Sequence, residues 1–505
     1  MIAVTPQQMK KLEAEADSSG VSYAELMERA GSALADNMLD MLETAPSRRV
    51  LFLCGNGNNA GDCFVAASKL YEKNIDCTVF LLCSMPSSDL AKENFKRIYE
   101  ITAVCDHEAI LKLVGSEKYG LIADGIFGTG FHGDISDDIS EVLEKIKENN
   151  PDSKYIAVDV PSGGNSLTGA VSNHTLKADA TVTFGFIKTG MTQYPLKSYC
   201  GHIECADIGL PKECKDAVRI TDTEFIKRVI PKKSPDSHKG NYGRLLTVCG
   251  SERMPGACIM SLEAAAKSGA GLVEAAAVKP ICGQITSRLP EAMLCPLDAD
   301  SEGFMVEWNY DIIMNFSKYA SAVLIGCGIG MSESTKNLVK RLICDISCPI
   351  ILDADGINCI TDSIDIIKQN RSGIILTPHP AEMGRLCGKD TSEIQADRIG
   401  TARDLAKKYN AVVVLKGAGT VIASPEKVFV NTTGNPGMAK GGSGDVLSGI
   451  IASLTAQGIN IFDSAAAGAY IHGLAGDIAA DALTMQCMTA TDIIKYLPDV
   501  FRKIV

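Results

Sequence analysis

Short apolar runs that end in glycine or a small polar residue recur along this chain in two series, and few folds accommodate such a pattern. The first series is "RRVLFLCG", "DCTVFLLC", "YGLIADGIFG", "KYIAVDVPSG" and "ATVTFGF". The second is "GRLLTVCG", "SAVLIGCGIG", "PIILDADG", "GIILTPHP" and "AVVVLKGAG". Runs that are apolar at every position indicate strands covered on both faces, as in parallel sheets. Parallel strands need crossovers, and helical spacing appears in the spans that could supply them. In the first half these are "YAELMERAGSALADNMLDML" and "DCFVAASKLYEKN"; in the second, "PGACIMSLEAAAKSGAG", "TSEIQADRIGTARDLAKKYN" and "DVLSGIIASLTAQG". Between the series, from about residue 212 to 242, the chain turns polar in "KECKDAVRITDTEFIKRVIPKKSPDSHKGNYG". The expectation is an α/β protein of two three-layer domains, residues 1–217 and 218–505.

Bulk properties agree with that division. A chain of 505 residues exceeds one ordinary core. Its net charge of −12 argues against nucleic-acid partners and against anchoring on anionic lipid. Phosphate ligands stay open, because glycine-loop amides and helix N-termini bind them without net positive charge. The 18 cysteines are scattered, often inside apolar runs, and no CxxC occurs, so reduced thiols of a cytoplasmic protein are expected rather than a zinc ribbon. The start "MIAVTPQQMKKLEAEADSSG" has no signal-peptide pattern, and no charge-free stretch reaches the roughly 18 residues of a membrane span.

Chemistry concentrates in the glycine-dense stretch "GNPGMAKGGSGDVLSG", residues 434–449, where Asp445 is the only acid. Val446, Leu447, Ile450, Ile451 and Leu454 recur at helical spacing, which puts Gly444 and Asp445 at a helix N-terminus. Free N–H groups and the macrodipole favour an anion there, and Gly441, Gly442 and Gly444 let the backbone approach it. An aspartate that simply caps a helix would give the same pattern. In "VLKGAGTVI", Lys416, Gly417 and Gly419 follow an apolar strand and suit a nucleotide contact, although a plain hairpin fits as well. "LTPHPAEMGRL" adds His379 and Glu382 at another strand end.

The first half has its own turn, "FLCGNGNNAGDCFVAA", which is neither G-x-G-x-x-G nor a P-loop. It offers Asn56, Asn58, Asn59 and Asp62, whose oxygens suit a hard cation or a ribose-phosphate. Two further strand ends carry Asp124, and Asp159 with Ser162. Helix capping would also explain each of these singly.

Taken in order, "HKGNYGRLLTVCGS", "PGACIMSLEAAAKSGAGLV", "GCGIG", "LDADGIN", "TPHPAEM", "LKGAGTVI" and "GNPGMAKGGSGD" resemble the ribokinase-like ADP-dependent dehydratase of the NAD(P)H-hydrate repair family, from about residue 238 to the end. "LMERAG", "GNGNNAGD", "DGIFGTG" and "AVDVPSGG" resemble its partner, the Rossmann-like NAD(P)H-hydrate epimerase, over roughly residues 1 to 215. The resemblance implies a substrate: NADH or NADPH that has gained water across the nicotinamide C5–C6 bond. In the second half it makes Asp445 the general base on the C6 hydroxyl, with phosphoryl transfer from ADP and release of AMP and phosphate. Lys416, Gly417, Ala418, Gly419, Thr420 and Gly444 would line the nucleotide, and Ala257, Gly328 and His379 the hydrate. Mg2+ would bridge the nucleotide phosphates, with Glu382 reaching it through water. In the first half it implies K+ on Asn59, Asp124 and Ser162. The hydrate would lie against Asn58, Asn59, Ala60, Gly61 and Asp62, against Gly128, Thr129, Gly130, Phe131, His132, Gly133 and Asp134, and against Asp159, the carboxylate expected to assist inversion at C6.

One departure is visible. The family pattern N-N-G-G-D-G reads here Asn58-Asn59-Ala60-Gly61-Asp62-Cys63, and a side chain at position 63 is where loss of epimerase activity would begin. Two rivals remain open at this level: a ribokinase-like kinase of a small alcohol or vitamin precursor, and a dehydratase whose first half only binds. A homo-oligomer is expected; the preference between NADH and NADPH hydrates is not readable.

Overall fold

A computed structural model describes residues 1–104 and 107–504. The chain divides into two compact units, Ile2–Val218 and Arg219–Val505, the latter with Met1. No described helix is long and apolar enough to cross a membrane.

The first unit is built on a seven-stranded, wholly parallel sheet. Its spatial order is Ala103–Val104, Asp76–Leu81, Arg49–Cys54, Leu121–Gly125, Lys154–Val158, Ala180–Phe184 and His202–Ala206. From Arg49–Cys54 the chain builds outward on one side, then crosses back to start Leu121–Gly125 on the other. That reversal is the topological switch point of a Rossmann-like sheet, and it opens a crevice beyond the carboxyl ends of these two strands. Helices Tyr23–Leu42 and Asn58–Glu72 pack together over one core, through residues such as Leu34, Met38, Phe64 and Leu70. Ile110, Val114, Ile139 and Val142 contribute to a second core from helices His107–Ser116 and Asp137–Asn149. A short parallel pair, Ile2–Val4 with Ile187–Lys188, aligns Val4 with Lys188 and leads into helix Pro6–Ser18.

The second unit has the spatial order Met293–Leu297, Leu272–Val278, Arg244–Val248, Ala322–Ile325, Ile350–Leu352, Ile374–Leu376, Val412–Leu415, Thr420–Ala423 and Val428–Asn431. The first seven are parallel and the last two pairings antiparallel. Strands Ala322–Ile325, Ile350–Leu352, Ile374–Leu376 and Val412–Leu415 are buried at every residue, as both-face coverage requires. Helices Pro255–Lys267, Ser443–Ala456, Ile461–Leu483 and Ala490–Ile504 share one core built from Ala264, Ile450, Ile471 and Ile494.

Three local features differ from the sequence reading. The span "TSEIQADRIGTARDLAKKYN" forms two helices, Thr391–Ala396 and Arg398–Tyr409, because Asp397 leaves helical geometry and its carboxylate accepts the Gly400 N–H to cap the second. The polar stretch near residues 212–242 carries strand Val218–Ile220 and helix Thr223–Val229, whose Ile226 is fully buried. The first-half turn is shorter than expected: the helix already starts at Asn58, so Asn58 to Asp62 lie in its opening turns.

Candidate functional sites

In the second unit four parallel strands release chemistry-bearing residues at their carboxyl ends. Asp353 follows Ile350–Leu352 directly and is buried. Its Oδ1 accepts from Lys416 Nζ at 2.7 Å and from the Thr377 hydroxyl at 2.7 Å, while its Oδ2 accepts from the Ser448 hydroxyl at 2.7 Å. Burial alone would raise this carboxyl, but Lys416 and the two hydroxyls hold it below its usual range. The same carboxylate, with Glu382 at 3.9 Å, keeps the partly buried Lys416 ammonium charged against its own desolvation.

Asp445 sits in the first turn of helix Ser443–Ala456, whose N-cap is Gly442 at φ +93°. Ligand atoms of Cys327, Asp353 and Asp445 all lie within 4.8 Å of one another. Burial, reinforced by the Asp353 charge, pushes Asp445 up to about 7. Gly444 faces the same space: a Cβ on it would lie 3.4 Å from Lys416 Nζ. A helix N-terminus, an ammonium and a carboxyl titrating near neutrality are thus gathered at one point, which is an arrangement for holding an anion beside a base.

The remaining expected residues surround that point unevenly. Gly328, at φ +68°, packs so tightly on Ala257 that a Cβ would come within 2.9 Å of the Ala257 methyl. Lys416, Gly417, Ala418 and Gly419 form the hairpin turn between Val412–Leu415 and Thr420–Ala423, and the Thr420 hydroxyl turns back to donate to the Gly417 carbonyl. His379 is an N-cap: its Nδ1 accepts from the Ala381 and Glu382 N–H groups, and Glu382 Oε2 in turn accepts from the His379 N–H. Burial, then Lys416, lowers His379, and burial raises Glu382. Sequence reasoning singled out neither Asp353, present in the quoted "LDADGIN", nor Arg398. The buried Arg398 guanidinium donates to the carbonyls of Leu415 at 3.0 Å and Lys416 at 3.2 Å and fixes the turn.

In the first unit a cavity of about 840 Å3 opens at the switch point. Asn58, Asn59, Asp62, residues 128–132, Asp134 and Asp159 line it; Ala60, Gly61 and Gly133 are not part of that wall. Ala60 is wholly buried, and Gly61 abuts Met27, whose Sδ would lie 2.6 Å from a Cβ. Ala60 lies within the helix and so has no need of glycine. Cys63 is accommodated by its neighbour: its Sγ fills the space above Gly125, only 2.2 Å from where a Cβ would stand. The side chain at position 63 is therefore matched by the missing one at 125.

Behind the cavity, Asp124 is fully buried and its Oδ2 accepts the Ser162 N–H at 2.8 Å. Ser162 Oγ accepts from the Phe127 N–H at 2.9 Å, and Asn59 Nδ2 donates to the Phe127 carbonyl at 3.1 Å. Asp124 Oδ1 is buried with no hydrogen-bond partner, and burial pushes the carboxyl up to about 6. An orphaned buried oxygen beside hydroxyl and amide oxygens is the donor set a hard monovalent cation would satisfy. Asp159 holds φ +66°, a left-handed conformation that aspartate tolerates better than most residues, and its Oδ1 accepts from Lys188, Thr183 and Phe184 N–H. Lys188, Thr183 and Glu13, which also lines the cavity, escaped sequence reasoning because they lie outside the glycine turns.

Both sites occupy the carboxyl edge of an open, mainly parallel sheet, which defines the chain as a pair of α/β ligand-binding units, the second of them ribokinase-like. A ribokinase-like superfamily protein of Enterococcus faecalis V583 matches it at a TM-score of 0.51 with 28% identity, covering 57% of this chain and 96% of that one. The chain belongs to the bifunctional NAD(P)H-hydrate repair enzyme family. A family model described as NAD(P)H-hydrate dehydratase matches residues 245–499, and one described as the YjeF-related protein N-terminus matches residues 23–190. The bifunctional NAD(P)H-hydrate repair enzyme of Thermofilum pendens is 36% identical, across 98% of this chain and 95% of its own. That of Moorella thermoacetica is 35% identical, across 100% of this chain and 97% of its own.

Proposed function

We propose that this chain restores hydrated NADH and NADPH: an epimerase in residues 1–217 interconverts the R and S hydrates at C6, and a dehydratase in residues 218–505 returns the S-hydrate to the reduced dinucleotide at the expense of ADP. The observation that carries the dehydratase is the carboxyl of Asp445, raised to about 7 at a helix N-terminus beside Lys416. Asp445 takes the proton of the C6 hydroxyl as that oxygen bonds to the terminal phosphorus of ADP and AMP departs. Phosphate then leaves C6 with the bonding pair, driven by the ring nitrogen, and loss of a C5 proton restores the double bond. Hydroxide is a poor leaving group and phosphate a good one, which is why the detour helps.

Lys416 and the amides around Gly444 hold the transferring phosphoryl group, with Asp353 keeping Lys416 charged and aimed. Residues 417–420 carry the nucleotide, and Ala257, Gly328 and His379 the hydrate. Mg2+ arriving with the nucleotide would supply neutralisation of the phosphate charge. Both Glu382 oxygens already face His379, and one of them also faces Lys416, so an approach through water suits it best.

In the first half Asn59, Asp124 and Ser162 would hold K+, whose charge would complete the orphaned Asp124 Oδ1 and stiffen the Phe127 turn beside the cavity. Asp159 and the cavity wall bind the hydrate and move protons as hydroxyl leaves C6 and water returns. The described cysteines are free thiols, in keeping with a reducing, cytoplasmic setting. The working form is a homo-oligomer.

The test mixes both epimers of hydrated NADH with the chain, ADP and Mg2+ and follows the absorbance of the reduced nicotinamide. Conversion beyond the S fraction, with phosphate and AMP released, is expected. Intact ADP with no recovery would point to the small-alcohol kinase instead.

A further inference from the structure

Among the described residues Lys188 has the environment least explained by folding alone. It ends the short strand Ile187–Lys188, and its side chain is 1% exposed. An ammonium taken out of water loses several kcal/mol of hydration unless each of its three donors finds an acceptor. Here each does: the Asp159 carboxylate Oδ1, the Thr183 hydroxyl at 2.9 Å and the Phe184 carbonyl at 3.1 Å. Asp159, in its left-handed conformation, receives the Thr183 hydroxyl at 3.1 Å and the Phe184 N–H at 3.3 Å on that same oxygen. The hydrogen bonds given to Asp159 thus converge on Oδ1, on a residue that lines the cavity.

A buried ion pair of this kind contributes little net stability compared with an apolar pair of the same shape. Its value lies in what it does to the carboxylate. Three other acids share the cavity wall, Glu13 from helix Pro6–Ser18, Asp62 from helix Asn58–Glu72 and Asp134, and burial pushes Glu13 and Asp62 up. Asp159 alone among the four is handed a cation at contact distance.

We propose that Lys188 is a positioning residue of the first site, holding the Asp159 carboxylate by Oδ1 so that its other oxygen faces the cavity for proton exchange at C6. This rests on the epimerase reading of the first half. In the reaction the C6–O bond breaks with its electron pair on oxygen, and the ring-nitrogen lone pair forms the C6=N1 iminium. The departing hydroxide takes a proton from a protonated carboxyl on the wall and becomes water. Water then adds to the opposite face of C6 and gives its proton to the Asp159 carboxylate. No electrons are gained or lost. The roles separate as acid and base because their surroundings differ.

The experiment follows conversion of purified R-hydrate of NADH by the full-length chain without ADP, by chromatography, over a range of pH. The spontaneous rate is subtracted at each point. Lys188→Met is expected to lower kcat by about 100-fold or more, the scale of a lost positioned proton transfer, with KM within a few-fold of wild type. Its acid limb should move up by about 1–3 pH units, because a carboxylate that loses an adjacent cation becomes easier to protonate. The groups facing this pair are Glu13 and Asp62 across the cavity, and Cys205; Lys10 acts on Glu13, and Glu204 and Asp207 on Cys205. Lys188→Arg should restore part of kcat and most of the limb. Should the Met variant not fold, Thr183→Val, which removes one acceptor from Lys188 and one donor to Asp159, should move the limb the same way by less. A limb unmoved in Lys188→Met, or, where that variant does not fold, in Thr183→Val, overturns the proposal, as does a change confined to KM. Wild type no faster than the spontaneous reaction would instead overturn the epimerase reading itself.

Discussion

Asp353 and Asp445 lie within a few ångströms of each other, yet their surroundings treat them oppositely. Asp353 is given an ammonium and two hydroxyls and stays ionised, whereas Asp445 is given burial and a like charge and rises to about 7. In the proposed reaction one carboxylate organises and the other exchanges protons. Replacing Asp445 by Asn keeps the shape but removes the base, and dehydration of the S-hydrate should fall by about 100-fold or more. ADP binding, measured by calorimetry, should change little. The sign of the pH dependence follows from the raised value: the base works only when ionised, so kcat/KM should fall tenfold per unit as pH drops below about 7 and level off above it. A profile flat through neutrality would mean that another group takes the proton. At this scale the glycine–aspartate loop betrayed Asp445 in the sequence. Asp353 stood in plain view in "LDADGIN" but without a signal, because its role depends on Lys416, 63 residues away.

The elements explain why glycine crowds the second site. Helix Ser443–Ala456 runs from its N-cap at Gly442 into a close crossing with helix Pro255–Lys267, where a Cβ at Gly449 would lie 2.2 Å from the Ser261 carbonyl oxygen. Gly449→Ala should therefore destabilise the second unit by about 1–3 kcal/mol, the usual range for overpacking, and lower its thermal midpoint. In the first unit the corresponding device is the turn after Leu121–Gly125, stitched by Asn59, Ser162 and Asp124. Asp124→Asn removes the charge that would hold K+, so any stimulation of R-hydrate epimerisation by K+ over Na+ should vanish in it. The strands and helices marked by apolar runs and helical spacing were found in that order, down to helix Tyr23–Leu42, which the pattern traced residue for residue, whereas strands Leu272–Val278 and Met293–Leu297 and helices Ile461–Leu483 and Ala490–Ile504 went unmarked. The break at Asp397 was not, because one capping hydrogen bond outweighed a continuous helical pattern.

Across the whole molecule, each unit carries its own sheet, core and carboxyl-edge site. Two catalysts on one chain suit a damage product that arises as two epimers, only one of which the dehydratase accepts. In full-length protein, Asp159→Ala should slow R-hydrate consumption to the spontaneous rate while S-hydrate turnover stays near wild type, and Asp445→Asn should do the reverse. Equal loss of both activities in either variant would mean that the sites do not work independently.

The sequence by itself determined the α/β class and marked the strand-end residues as candidates, because periodicity and glycine turns are local properties of the backbone. Only the tertiary structure decided which of those residues act together. It alone brought Lys416 to Asp353, Lys188 to Asp159 and Cys63 against Gly125. Pairings of this kind depend on burial and on distances between residues far apart in the chain, and charge in a low-dielectric site takes its meaning from the neighbour it is folded against.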